Sequence, residues 1–140
     1  MTIAQIISLL EATSLSDTPD LEHTIESVCG SDMMSDVLAF IKKDALLLTG
    51  LNNLQVIRTA EMLDIVCLVF VRGKQPQPEM LQMAENLGIT VLTTEHTMFD
   101  ACGILSCRTT GRKPKRCLVY IINTPWMVMI SPWPVKQAVL

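Results

Sequence analysis

Between Met34 and Cys107 the chain passes three times from a short, continuous apolar run through a turn of small or polar residues into an amphipathic helical pattern. The runs are Ala45-Leu46-Leu47-Leu48-Thr49-Gly50, Val66-Cys67-Leu68-Val69-Phe70-Val71-Arg72-Gly73 and Ile89-Thr90-Val91-Leu92-Thr93-Thr94. Uninterrupted apolar strands are buried on both faces, and strands of this kind separated by helices form the βα units of a parallel sheet. The expected fold is therefore α/β: a compact, three-layer-like domain with a mostly parallel sheet flanked by helices. Function is constrained too, because such a sheet gathers its loops, and any ligand site, at the carboxyl ends of its strands.

The 140 residues suffice for one core without disulfides or metal, and a chain 49% hydrophobic and 18% charged is globular. Its charge is uneven. Residues 1–100 hold all 14 acidic groups and five basic ones, 5 − 14 = −9, whereas residues 101–140 hold six basic groups and no acid, +6. The expected division is a body over residues 1–108 and a basic, apolar tail over residues 109–140. Five cysteines are an odd number, and no secretory pattern precedes them, so a reduced, cytoplasmic setting is expected. No apolar run reaches the ~18 residues of a membrane span.

Thr2 caps an expected helix carrying Ile3, Ile6, Ile7 and Leu10. The polar stretch Ser14–Asp20 ends it, and His23–Cys29 alternates like a half-exposed strand. Ser31 and Asp32 are expected caps for a helix from Met33 to Lys42, with Met34, Val37, Leu38 and Ile41 as its apolar stripe. Asn52 or Asn53 caps the next helix, with Leu54, Ile57, Ala60, Met62 and Leu63 inward. Pro78 opens the third, and Gly88 follows its end. Thr97–Asp100 is a capping box for a helix carrying Phe99, Ile104 and Leu105. In the tail, Cys117–Ile122 is strand-like, and Pro125, Pro132 and Pro134 prevent a long helix beyond it.

Catalytic groups are sparse. His23 and His96 lie at no metal-ligand spacing, Cys102 and Cys107 are five apart and read as core, and Glu79, Glu85, Glu95 and Asp100 suit solvated or capping positions. Neither a P-loop, a G-x-G-x-x-G run nor a nucleophile elbow is present. No catalytic residue, cofactor or metal is assigned. The methionines, among them Met33, Met34, Met80, Met83 and Met98, fall largely on apolar helix faces and read as core filling.

Three strand-to-helix loops supply the candidate ligand contacts: Thr49, Gly50, Asn52 and Asn53 in the first, Arg72 and Gly73 in the second, Thr94 in the third. Backbone amides at helix starts attract anions, Gly50 and Gly73 permit close approach, and Arg72 and Lys74 add positive charge. Ordinary turn chemistry uses the same residue types. Both readings stand at this level.

At these loops the chain resembles the DRTGG domain family. The resemblance runs from about Met1 to Cys107 and is clearest in Ser31-Asp32-Met33-Met34-Ser35-Asp36-Val37-Leu38, Leu48-Thr49-Gly50, Leu68-Val69-Phe70-Val71-Arg72-Gly73-Lys74-Gln75-Pro76, Leu87–Thr94 and Phe99-Asp100-Ala101-Cys102-Gly103. Leu51 and Asn52 stand where many members have an acidic–basic pair, and Arg72 replaces the first glycine of a common Gly-Gly. The resemblance implies a compact regulatory domain that dimerises and occurs alone or fused to enzymes.

The expected function is a non-enzymatic, homodimeric ligand-sensing module for a small anionic metabolite or nucleotide. The alternative is an interaction domain docking a metabolic or redox enzyme or a kinase through methionine-rich helix faces and the Trp126–Trp133 segment. Arg108–Arg116 reads as a solvated linker rather than a nucleic-acid or membrane patch, since it includes Gly111 and Pro114 and lacks helical amphipathicity.

Overall fold

The computed structural model describes residues 1–41, 43–109 and 121–122. In chain order the elements are α1 (Ile3–Leu10), β1 (Thr13–Ser14), β2 (Ser27–Ser31), α2 (Met34–Phe40), β3 (Ala45–Thr49), α3 (Leu54–Met62), β4 (Cys67–Phe70), α4 (Pro78–Asn86), β5 (Thr90–Thr93), α5 (Met98–Thr109) and β6 (Ile121–Ile122). They form one sheet in the order β1-β5-β4-β3-β2-β6. All neighbours are parallel except β1, which runs antiparallel to β5.

The strand order dictates the layers. From β2 through β5 each strand pairs with the next, so right-handed crossovers bring α2, α3 and α4 to the same face. The return from β5 to β6 at the far edge runs the other way and carries α5 across the opposite face. Alternation within the strands matches this division. Leu47, Leu68, Phe70 and Val91 pack with Met34 and Val37 of α2, Val56, Ile57 and Ala60 of α3, and Met80 and Ala84 of α4. Leu46, Leu48, Cys67, Val69 and Leu92 pack with Ile3, Ile6 and Leu10 of α1 and Ala101, Cys102 and Leu105 of α5. The result is a three-layer α/β/α domain, as the apolar runs imply.

Local signals hold at most helix ends. Thr2 and Gln5 exchange the two bonds of a capping box. Asn53 is the cap of α3, accepting from the Gln55 amide at 3.0 Å. Pro78 begins α4, and Gly88 follows it at φ +70°. Thr97 accepts from the Asp100 amide at 3.2 Å before α5.

Other expectations are corrected by tertiary contacts. The half-exposed strand is a short, largely buried one, Ser27–Ser31, because β3 and β6 flank it in the sheet. The stretch after Ala12 contributes the edge strand β1, whose loop bonds directly to β5: the Leu15 amide donates to the Val91 carbonyl and the Val91 amide to Ser16 Oγ, both at 2.8 Å. Phe99 is turned out to water, 72% exposed, with Leu105 and Cys102 taking the inward face of α5. Met62 is also exposed, while Val56 and Thr59 are buried in α3. Of the strand expected over Cys117–Ile122, Ile121 and Ile122 pair with Gly30 and Ser31. Lys42, the cluster from Arg112 to Arg116 and the segment beyond Ile122 lie outside the described residues.

Close approach of α5 to β2 depends on Gly30, where a Cβ would lie 2.7 Å from Cys102 Sγ and 3.0 Å from Met98 Sδ. Both are tighter than van der Waals contact. Gly30→Ala is expected to lower stability by about 1–3 kcal/mol through overpacking, measured by urea unfolding. Adding Cys102→Ala restores part of the loss, whereas a purely additive double variant contradicts this account.

Candidate functional site

The carboxyl ends of β2, β3, β4 and β5 lie side by side. Thr49, Phe70 and Thr93 are in register across β3, β4 and β5. Asp32, Gly50, Arg72 and Thr94 follow just beyond the strands.

Adjacent strands β4 and β5 send their following helices to opposite faces, the arrangement that opens a crevice in α/β sheets. Here the two loops close it by bonding to each other. The Arg72 amide donates to the His96 carbonyl at 2.9 Å and the Gly73 amide to the Thr94 carbonyl at 2.8 Å. Gly73 has φ +61°, and a Cβ there would meet the Glu95 carboxylate at 2.6 Å. Side chains tighten the closure: Thr93 Oγ1 donates to the Lys74 carbonyl at 2.9 Å, and the buried Thr94 Oγ1 to the Leu10 carbonyl at 2.7 Å.

The convergence of donors lies instead at β2, β3 and β4. Asp32 Oδ1 accepts from the Gly50 amide at 2.6 Å and from Thr49 Oγ1 at 3.2 Å. Asp32 Oδ2 accepts from Arg72 Nη2 at 3.2 Å. The guanidinium lies directly on Gly50, where a Cβ would fall 1.9 Å from Nη2. Lys74 Nζ donates to the Gly50 carbonyl, and Thr49 Oγ1 accepts from the Leu51 amide at 3.1 Å.

The seven expected contact residues are thus brought to one edge of the sheet, each with an internal partner. Asn53 caps α3, and Asn52 Nδ2 donates to the Gln75 carbonyl at 2.9 Å. The Gly50 and Gly73 amides, expected to hold ligand oxygens, hold the Asp32 carboxylate and the Thr94 carbonyl. Asp32 is the residue that sequence reasoning missed. It was expected to cap α2, yet the cap position is Met33 without a side-chain bond, and Ser31 Oγ accepts from the Met33 amide at 3.0 Å. The available signal was its place immediately after a strand, one residue past Ser31.

Arg72 is a costly choice here. Its φ of +62° lies in the left-handed region, which costs a non-glycine residue roughly 1–2 kcal/mol. Its ion pair with Asp32 is half exposed on both sides, a situation worth about 0–1 kcal/mol. Stability does not account for an arginine at this position.

Elsewhere, His23 bridges Asp20 and Asp44, each at 3.5 Å. Among the described residues no group of three or more His, Cys, Asp or Glu is placed to hold a metal ion, and no helix is long and apolar enough to cross a membrane. Cys29, Cys67 and Cys102 are free and buried. Burial pushes the Cys29 thiol up to about 11, with Asp36 adding to it, and Cys102 up to about 12, with Cys29 adding to it. Cys67, wholly enclosed, is raised further by burial.

The DRTGG domain family matches residues 5–106. The fold is similar to that of the crystal structure of the CBS and DRTGG domains of the regulatory region of Clostridium perfringens pyrophosphatase complexed with activator, diadenosine tetraphosphate. The two share 20% identity with a TM-score of 0.58, over 74% of this chain and 45% of that one. The chain therefore spans less than half of the length of that neighbour. No curated protein matches the chain.

Raised thiols stay protonated near neutral pH and react poorly. Cys29, Cys67 and Cys102 are expected to resist iodoacetamide at about pH 8 in the native protein and to react in guanidinium, as read by peptide mass mapping. Because the folded values exceed the ordinary 9.0, this contribution to stability is complete below about pH 9 and declines as pH rises toward 11 and 12. Urea midpoints should fall accordingly, and native labelling of these three would contradict their burial.

Proposed function

The chain belongs to the DRTGG domain family, and from that premise we propose that it is a non-enzymatic regulatory module. It senses a small anionic metabolite or nucleotide at the carboxyl edge of its sheet, with Thr49, Gly50, Asn52, Asn53, Arg72, Gly73 and Thr94 forming or supporting the site. One observation carries this reading: a hydroxyl, a glycine amide and a guanidinium from two adjacent strand ends converge on a single anion, the carboxylate of Asp32. That donor set suits phosphate or carboxylate oxygens. Supporting it, the similar regulatory region contains a nucleotide activator. The body is taken as residues 1–108, with the remainder an appended segment that adds β6 to the edge of the sheet. Three free, buried thiols are compatible with a reducing, cytoplasmic setting.

The module acts as a homodimer. Apolar side chains on and beside α2 remain in water, Met33, Leu38 and Phe40 at 43–48% exposure, and supply surface for a second copy. The same surface would serve a partner enzyme.

Thermal-shift screening of nucleotides and phosphorylated metabolites tests the sensing role. A ligand at a hundred times its Kd stabilises by about 2.7 kcal/mol, and the gain in Tm is expected to shrink in Arg72→Ala. Absence of any stabilising compound, or an equal response from the variant, would overturn the assignment.

Sedimentation equilibrium tests the dimer. Wild type is expected as a dimer at micromolar concentration and Leu38→Asp as a folded monomer, since a buried charge opposes association. A monomeric wild type refutes it.

A further inference from the structure

We propose that the seat now filled by the Asp32 carboxylate is the domain's anion subsite and that Asp32 is an internal competitor, which a ligand's phosphate group must displace. The inference rests on the sensing role above and deepens it.

The seat is built, and two of its three donors are better fixed than its occupant. Thr49 and Gly50 are buried at the end of β3, inside the sheet, and Thr49 Oγ1 is oriented by the Leu51 amide. Asp32 is half exposed in the short link between β2 and α2, and α2 does not use it as a cap. Rotation of one side chain carries its carboxylate into water without disturbing either element. The hydroxyl, the amide and the guanidinium then present themselves together to an incoming anion.

Glycine at position 50 serves both partners. Its amide donates to the carboxylate, and its lack of a Cβ leaves the space that the Arg72 guanidinium occupies. Arg72 holds its strained backbone although a half-exposed pair gives little in return, so its side chain is placed for something other than stability. Lys74, anchored on the Gly50 carbonyl, sets a second cation beside the first.

Competition implies a ligand class. Binding exchanges one anion for another, so a singly charged carboxylate gains little over Asp32 itself. A di- or triphosphate brings more charge and more acceptor oxygens to Arg72 and Lys74 and wins the exchange. The geometry thus selects polyphosphate groups over simple carboxylates.

The test is isothermal titration of the full chain with inorganic pyrophosphate, comparing wild type with Asp32→Asn, Asp32→Ser and Glu95→Gln. Glu95→Gln removes a carboxylate from the same edge, the one lying on Gly73 rather than in the seat. If Asp32 occupies the seat roughly nine-tenths of the time, both Asp32 variants bind pyrophosphate about tenfold more tightly than wild type. Glu95→Gln gains clearly less, and pyrophosphate shifts the Gly50 amide resonance. An equal gain in Glu95→Gln reduces the effect to local charge and overturns the proposal. Unchanged or weaker binding in both Asp32 variants overturns it while leaving ligand sensing intact, as would be seen from nucleotide-induced stabilisation of wild type. Absence of pyrophosphate binding to all four proteins overturns it as well, and absence of nucleotide stabilisation besides removes the sensing role.

Discussion

Burial of β3 and β4 on both faces is the constraint from which the rest follows. Leu46, Leu47 and Leu48, and beside them Cys67, Leu68, Val69 and Phe70, have no exposed surface. Each large apolar side chain so enclosed contributes roughly 1.5–3 kcal/mol relative to exposure. Before the Thr49 end, neither face of β3 or β4 carries a hydroxyl, amide or charged side chain, because an unpaired polar group there would be costly. Hydrogen-bonding side chains are pushed to the strand ends, where Thr49, Thr93 and Thr94 are buried only because each finds a partner.

The same topology decides where at that edge polar groups gather. Opposed directions of α4 and α5 open a crevice between β4 and β5 in principle, but the Arg72–His96 and Gly73–Thr94 backbone bonds close it. Those bonds also fix Arg72 in its left-handed conformation and aim its side chain back over Gly50 toward Asp32. Closure of one crevice and assembly of the donor seat beside it are consequences of one loop geometry. The charge at this edge is balanced, with Asp32 and Glu95 facing Arg72, Lys74 and the glycine backbones. Within an acidic body, two cations are thereby held at one edge of the sheet.

How far the sequence could be read depended on the range of the interactions involved. The cap at Thr2, the caps at Asn53 and Thr97, Pro78 at the start of α4 and Gly88 after its end are settled within a few residues. All were legible. Phe99 and Met62 were misplaced because the inward arc of a helix is chosen by the sheet it meets, so Cys102 and Val56 took the buried positions instead. β1 was missed because two polar residues become a strand only when β5 lies alongside to receive their bonds. The candidate contacts were drawn from loops that do meet at one edge of the sheet, since the strand cadence marks carboxyl ends directly. Their internal pairings were not legible, because Asp32 is 18 residues from Gly50 and 40 from Arg72 in the chain.

By itself the sequence determined an α/β chain with buried parallel strands, most of its helix starts and three of the loops that carry its polar chemistry. Periodicity and capping are local, and apolar runs have few ways to be hidden from water. Only the tertiary structure decided that Asp32 leaves the helix it was expected to cap and sits on Thr49, Gly50 and Arg72. That choice requires three strand ends to be aligned side by side, a distance relation that no stretch of sequence contains.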